Sequence, residues 1–255
     1  MQRLIQKAMV LAAGKGTRLG PLGETTPKCL VEAGGVPLLD SLLRRLKKFG
    51  VSSVVINTHH LANQVREHLN KHHIPEVRVS VSNEREKLLD TGGGVGFARK
   101  YFLEEDAFLV HNADIYTENV LQPFLENFER ERPDAALLIF PTEDPRGLLF
   151  DTHNMLVGWV NRKSNESKCI RDDVDSVFWG FGGISILTPK VFEYMPPEGE
   201  RFSIIDTFLE MARDNCVVVG YPKAEKGMWL DLGTPQQIAV LDAHLKKKEI
   251  AQKSQ

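Results

Sequence analysis

The sequence predicts an α/β fold, with a mainly parallel mixed sheet and helices on both faces. Apolar runs and amphipathic helical spacing alternate as β-α-β-α-β-α-β over the first 114 residues. The first strand is a continuous apolar stretch, the pattern of a parallel strand buried on both sides. The chain has 255 residues, 42% hydrophobic and 26% charged, which suits one large α/β domain or two small ones with a full core.

Each element follows from its local pattern. Residues 8–13, AMVLAA, form the first buried strand. Over 37–49, Leu38, Leu39, Leu42, Leu43 and Leu46 share one helical face opposite Arg and Lys, and Gly50 provides the stop. VSSVVINTHH is the second strand, and Leu61, Val65 and Leu69 return to helical spacing. Residues 77–84 alternate as a strand, and 94–102 form a helix opened by the glycine run before it. Residues 107–114, AFLVHNAD, are a buried strand ending on polar side chains. A helix follows over 119–134, which Pro133 helps to end, then the strand AALLIF. The polar, turn-rich stretch 141–179 reads as hairpins, and 178–188 as a glycine-punctuated strand. Residues 203–215 are helical, with Ser203 and Asp206 spaced as a capping box. CVVVGYP is a strand, a last helix starts near Thr234 with Pro235 in its first turn, and the tail KKKEIAQKSQ is expected to fray.

Composition excludes several classes. Lys and Arg total 32 against 34 Asp and Glu, for a formal charge of −2. That balance carries no footprint for nucleic acid or an anionic membrane, so an anionic ligand must be small and held by a few placed groups. Cys29, Cys169 and Cys216 are widely spaced without a C-x-x-C pair, which indicates neither zinc nor a disulfide framework and agrees with a reducing cytoplasm. Nothing beside Cys29 marks a catalytic thiolate. The apolar run after Arg3 and Lys7 is too short for a secretory leader and leads into a glycine turn. No stretch approaches the roughly 20 apolar residues that span a bilayer. The expectation is a cytoplasmic chain with no membrane partner.

In open sheets of this class, ligands bind beyond the carboxyl ends of the strands. Residues 14–18, 57–60 and 112–114 therefore share one rim. After the first strand comes GKGTRLG. A dinucleotide fingerprint needs its third glycine one residue earlier, and a Walker loop needs a G-K-[ST] that is absent. Gly14 and Gly16 still permit close backbone approach, successive N–H groups form an anion nest, and Arg18 offers a planar fork to phosphate. Lys28, eleven residues after Thr17, can reach the same place. A plain glycine turn with solvated cations is the competing reading, and the loop alone leaves both open.

LAAGKGTRLGPL followed by TPKCLVEAGGVPLL resembles the signature of the sugar-1-phosphate nucleotidyltransferases, and the resemblance continues along nearly the whole chain. It implies a Rossmann-like fold and transfer of a nucleoside monophosphate from an NTP to a sugar 1-phosphate, releasing pyrophosphate. By that resemblance Leu11, Ala12, Ala13, Gly14, Lys15, Gly16 and Thr17 hold the nucleotide, and Arg18 and Lys28 serve the reacting phosphates. Asp114, ending a buried strand in VHNAD, and Asp231 in WLDLGTP match the family's two Mg²⁺-binding aspartates. Asp231 competes with a helix-capping role, for which Thr234 is better placed. SNEREKLLDTGGG fits the family's nucleobase and ribose segment, which assigns Asn83, Thr91, Gly92 and Gly93, with Asn57 and His59 candidates at the rim. His59, His60, His72 and His73 find no carboxylate or cysteine at a spacing that would complete a zinc site, and the last two read as solvated.

In the second half, PRGLLFDTHN resembles the branch of uridylyltransferases that act on N-acetylmuramate 1-phosphate in peptidoglycan recycling. Arg146 can meet an anion there, either a sugar phosphate or a lactyl carboxylate, or be a surface arginine. Asn112, Gly183 and Ser185 are assigned to the sugar, with Gly182 beside them. The family's usual N-G-D is replaced by HNAD, which keeps the metal ligand and leaves substrate preference open. Guanylyl transfer to mannose 1-phosphate, thymidylyl or uridylyl transfer to glucose 1-phosphate and cytidylyl transfer to phosphocholine are alternatives, as is a non-catalytic nucleotide-sugar-binding subunit. The expected organisation is one domain, with a nucleotide half over 1–118, a sugar half over 119–235 and a C-terminal helix and tail over 236–255. The partners expected are an NTP and a sugar 1-phosphate, in a monomer or homodimer. Without a long C-terminal extension, a single activity is expected.

Overall fold

Alternate residues of the strand β1 (Lys7–Leu11) enter two different cores. Ala8 and Val10 pack into one hydrophobic cluster and Met9 into another, so both faces are covered. The computed structural model describes residues 5–84, 86–171 and 173–253. After β1 come a short helix α1 (Pro21–Thr25), a two-residue ladder of β2 (Glu32–Ala33) with β3 (Val36–Pro37), and helix α2 (Leu38–Lys48). Strand β4 (Ser53–Thr58), helix α3 (Ala62–Lys71), strand β5 (Arg78–Asn83), helix α4 (Asp90–Phe97), and strands β6 (Phe108–Asn112) and β7 (Ile115–Glu118) follow. The second half holds helix α5 (Leu121–Glu131) and strands β8 (Ala135–Phe140), β9 (Arg146–Asp151), β10 (Leu156–Asn161), β11 (Glu166–Cys169) and β12 (Ser176–Leu187). Helix α6 (Ile204–Arg213), strands β13 (Val218–Pro222) and β14 (Met228–Asp231), and helix α7 (Pro235–Lys253) end the described chain.

One ten-stranded mixed sheet runs β11-β10-β9-β12-β6-β1-β4-β5, with β8 beside β12 and β13 beside β8. It is parallel across β6-β1-β4-β5 and between β8 and β13. It turns antiparallel where β12 joins β6, β8 and β9 and in the β9-β10-β11 meander. Leu39, Leu42, Leu43 and Leu46 of α2 and Phe124 and Phe128 of α5 cover one face. Val95 of α4 and Phe208 and Met211 of α6 cover the other. The chain steps from β1 to β4 and β5 on one side, then returns to place β6 on the other. The carboxyl ends of β1 and β6 thus flank a switch point, where open sheets bind ligands.

Three local expectations change. The glycine run does not precede its helix: Gly92, Gly93 and Gly94 lie inside α4, which ends at Phe97 and not at 102. A Cβ on Gly92 would meet the Phe202 ring, and one on Gly94 would lie 2.6 Å from Asn57 Nδ2, so close packing requires these glycines. The capping box is half formed. Ser203 Oγ accepts the Ile205 N–H at 3.3 Å, while the Asp206 carboxylate turns to Lys168. The tail is helical through Lys253, and Ser254 and Gln255 lie outside the described residues. His72 is exposed as expected, and its ring also stacks on His68 with centroids 4.4 Å apart.

The antiparallel pair β7-β14 was not legible in the sequence, and it builds the site. Its register sets Asp231 opposite Ile115, next to Asp114, and the Leu232 N–H donates to the Asp114 carbonyl at 2.8 Å. Arg45 of α2 anchors β7 by donating to the Thr117 carbonyl at 2.8 Å, with its guanidinium 4.4 Å from the centre of the Tyr116 ring.

Candidate active site

A cavity of about 300 Å³ opens at the carboxyl ends of β1, β4 and β6. Leu11, Ala12, Ala13, Gly14, Gly16, Thr17 and Arg18 form one wall, and Lys28, Asn57, Thr91, Asn112 and Asp114 close it. The loop after β1 stays irregular because Gly16 has φ 65°, a left-handed backbone that side chains disfavour. At Gly14 an added Cβ would meet nothing within 4 Å, so that backbone borders open space.

Asn57 fixes the loop. Its Oδ1 accepts the Ala12 N–H at 2.6 Å and its Nδ2 donates to Glu84 Oε1 at 2.6 Å. Glu84, 2% exposed, also accepts the Leu89 N–H at 2.9 Å, which ties the end of β1 to the start of α4. Burial pushes the Glu84 carboxyl above its ordinary range. Glu84 lies within the SNEREKLLDTGGG segment, and its bracing role depends on the fold joining β1, β4 and α4.

Two ion pairs bring cations and carboxylates together here. Lys28 pairs with Asp114, their side chains only 14% and 20% exposed. Arg18 Nη2 lies 3.0 Å from Asp231 Oδ2, and Asp231 Oδ1 accepts the Gly233 N–H at 2.8 Å. Thr234 caps α7, its Oγ1 accepting the Gln237 N–H at 3.3 Å, so Asp231 is free of that duty. Arg201 reaches the same cavity from the loop before α6, a cation the sequence reading did not single out. Cys29 lines the wall, but burial pushes its thiol up to about 12, which keeps it protonated.

A second cavity, of about 640 Å³, meets the first at Asn112 and is bordered by Asp231. Gly183, with φ 68°, lines it where a Cβ would lie 2.7 Å from Asn112 Nδ2. The stacked rings of Phe140 and Trp229, 4.3 Å apart, line it too, and Trp229 Nε1 donates to the Gly182 carbonyl at 2.8 Å. Arg146 lines it with its side chain 67% exposed and Nε 3.5 Å from Asp144 Oδ1.

Six expected contacts are not brought to either cavity. Ser185 is buried between β6 and β8, inside the sheet. Gly92 and Gly93 are enclosed in α4 by packing. Asn83 ends β5 in register with Thr58, and Lys15 is exposed outside the lining. His59 Nδ1 lies 2.5 Å from the Glu84 carbonyl and so faces the chain. Thr91 lines the first cavity, yet its hydroxyl accepts the Ile204 N–H at 3.0 Å and ties α4 to α6.

A sheet switch point bearing a glycine loop, two cations and two carboxylates defines a site for phosphate chemistry. Residues 7–148 match the nucleotidyl transferase family model, and the chain belongs to that family. It is 40% identical over 229 residues to the N-acetylmuramate alpha-1-phosphate uridylyltransferase of Neisseria meningitidis serogroup B, covering 89% of this chain and 93% of that one. It is 30% identical to the enzyme of the same name from Caulobacter vibrioides, covering 93% and 96%. It is also 27% identical to the mannose-1-phosphate guanylyltransferase of Mycobacterium tuberculosis, of whose length it spans 61%. The fold matches a UDP-glucose pyrophosphorylase from Acinetobacter baumanii with a TM-score of 0.75 at 17% identity, over 98% of this chain and all of that one. The chain is thus a nucleotidyltransferase enzyme with the architecture of sugar-nucleotide pyrophosphorylases. Among the described residues no helix is long and apolar enough to cross a membrane.

Proposed function

We propose that the protein transfers uridylyl from UTP to N-acetylmuramate 1-phosphate and releases pyrophosphate. The single observation behind the reaction class is the pairing of Lys28 with Asp114 in the cavity at the strand ends, and of Arg18 in that cavity with Asp231 at the border of the next. The identity of 40% over most of the chain to a uridylyltransferase supports the choice of substrates.

The acceptor phosphate brings its own nucleophilic oxygen, so no protein base is needed. That oxygen forms a bond to the α-phosphorus as the bond to the bridging oxygen of the β-phosphate breaks, and pyrophosphate leaves with the electron pair. The protein positions two anions and offsets their repulsion. Lys28 stands between donor and acceptor phosphates. Arg18 and the N–H groups of residues 14–17 receive the β- and γ-phosphates. Asn112, shared by the two cavities, orients the sugar.

Asp114 and Asp231 fit a divalent cation. They are hard oxygen donors set side by side by β7 and β14, and each now faces a protein cation whose charge a metal would replace. When bound, Mg²⁺ would supply positive charge to phosphate oxygens, and substrate and water would complete its shell.

Pyrophosphate release measured with four NTPs, each against a panel of sugar 1-phosphates, tests the reading. UTP with N-acetylmuramate 1-phosphate should give the highest kcat/KM. Release with GTP and mannose 1-phosphate alone would instead favour the second reading, which rests on the guanylyltransferase relative.

A further inference from the structure

The wall of the second cavity contains a row of side chains, ending on a cation, that the reaction does not use. The register of the meander sets Leu148 of β9 opposite Trp159 of β10, and Trp159 opposite Lys168 of β11. Directly opposed residues share a sheet face, and all three line this cavity. The Lys168 ammonium lies 5.8 Å from the centre of the Trp159 ring and 2.5 Å from Asp206 Oδ1, on the first turn of α6. Asp206 would serve a capping box, yet it spans to the meander instead. Arg146, at the start of β9, lines the same cavity.

An ammonium can only donate hydrogen bonds, and its strongest partners are anions. Lys168 and Asp206 are 54% and 44% exposed and come from different elements, so their contact exchanges readily for another anion. The acceptor's phosphate belongs beside Asp114 and Lys28, which leaves Lys168 for a different part of the sugar. The neighbouring Trp159 indole offers an apolar face against which a sugar ring packs.

We infer that Lys168, with Arg146, reads a carboxylate substituent on the acceptor sugar, and so selects an acidic sugar 1-phosphate over its neutral counterpart. This rests on the sugar-1-phosphate reading of the site. On binding, the substituent takes the place of Asp206 at the Lys168 ammonium, and Asp206 is left to accept from sugar hydroxyl or amide groups.

N-acetylmuramate 1-phosphate and N-acetylglucosamine 1-phosphate differ by the lactyl ether that carries the carboxylate, so they form the test pair. The unmodified protein should prefer the first. Lys168→Met should raise its KM about tenfold or more, equivalent to one charge-assisted hydrogen bond, with kcat little changed. The KM for the neutral sugar should stay within about twofold, and Lys168→Arg should restore most of the preference. Thermal midpoints of both variants report on folding. Equal losses for both sugars, or no loss for either, would overturn the role of Lys168 and leave the proposed reaction standing, whereas an unmodified protein that favours the neutral sugar would overturn that role together with the proposed acceptor. Absence of pyrophosphate release with every sugar 1-phosphate would overturn the transferase reading, and this inference with it.

Discussion

The ammonium of Lys28 rests on the carboxylate of Asp114, 86 residues further along the chain. Lys28 arrives on a 3₁₀ turn that follows Pro27, and Asp114 on the turn between β6 and β7. Both are largely shielded from water, where a charge acts more strongly on a ligand. Lys28→Met or Asp114→Asn should each lower kcat/KM by about 10²–10³-fold, with far-ultraviolet circular dichroism unchanged. Pyrophosphate release at the unmodified rate in either variant would remove the pair from the reaction.

Arg18 and Asp231 are more exposed, at 58% and 35%, so solvent screens their attraction. Arg18→Ala should change stability in urea by less than about 1 kcal/mol. The same variant should raise the KM for the nucleoside triphosphate, measured at saturating acceptor. A large stability loss with unchanged KM would show that the arginine is structural.

Two glycines should respond in opposite ways. Gly14→Ala places a methyl in open space and should leave the melting temperature alone while weakening nucleotide binding. Gly92→Ala drives a methyl into the Phe202 ring and within 2.9 Å of the Ile204 nitrogen, and should cost about 1–3 kcal/mol of stability. Calorimetry and nucleotide titration on both variants separate these effects.

Asn57→Ala should destabilise the fold by about 1–3 kcal/mol, because the Ala12 N–H and the Glu84 carboxylate would each lose a buried partner. Chemical denaturation measures this. A neutral result would mean that the loop after β1 is held by other contacts.

His111 is fully buried, and burial lowers its pKa from 6.5 to about 3. Its Nδ1–H donates to the Asn112 carbonyl at 2.8 Å, and Nε2 has no partner to hold a second proton. The folded state therefore stays neutral where the unfolded chain takes up a proton. Stability from this group is complete above pH 6.5 and falls as pH drops towards 3, by up to about 1.4 kcal/mol per unit. Urea titrations at pH 7 and pH 5 should show a smaller acid loss in His111→Leu than in the unmodified protein. Equal losses would contradict a neutral buried imidazole.

By itself the sequence determined the elements whose signal is local. Continuous apolar runs specified β1 and β6, and leucine spacing specified α2, because burial of one face or both leaves a period in the letters, while two glycines specified only an irregular turn after β1. Tertiary structure decided what period does not encode. The ladder of β7 with β14 involves four residues on each side, too few to announce a strand, yet its register carries Asp231 to Arg18 across 213 positions. Gly92 and Gly93 read as the opening of a helix and a backbone surface for a nucleobase until Phe202 and Glu200 packed against them. Lys168 was one exposed cation among many until the meander aligned it with Trp159 and α6 brought Asp206 to it. Contacts between side chains distant in sequence depend on strand register and helix docking, and those are settled only when the whole core closes.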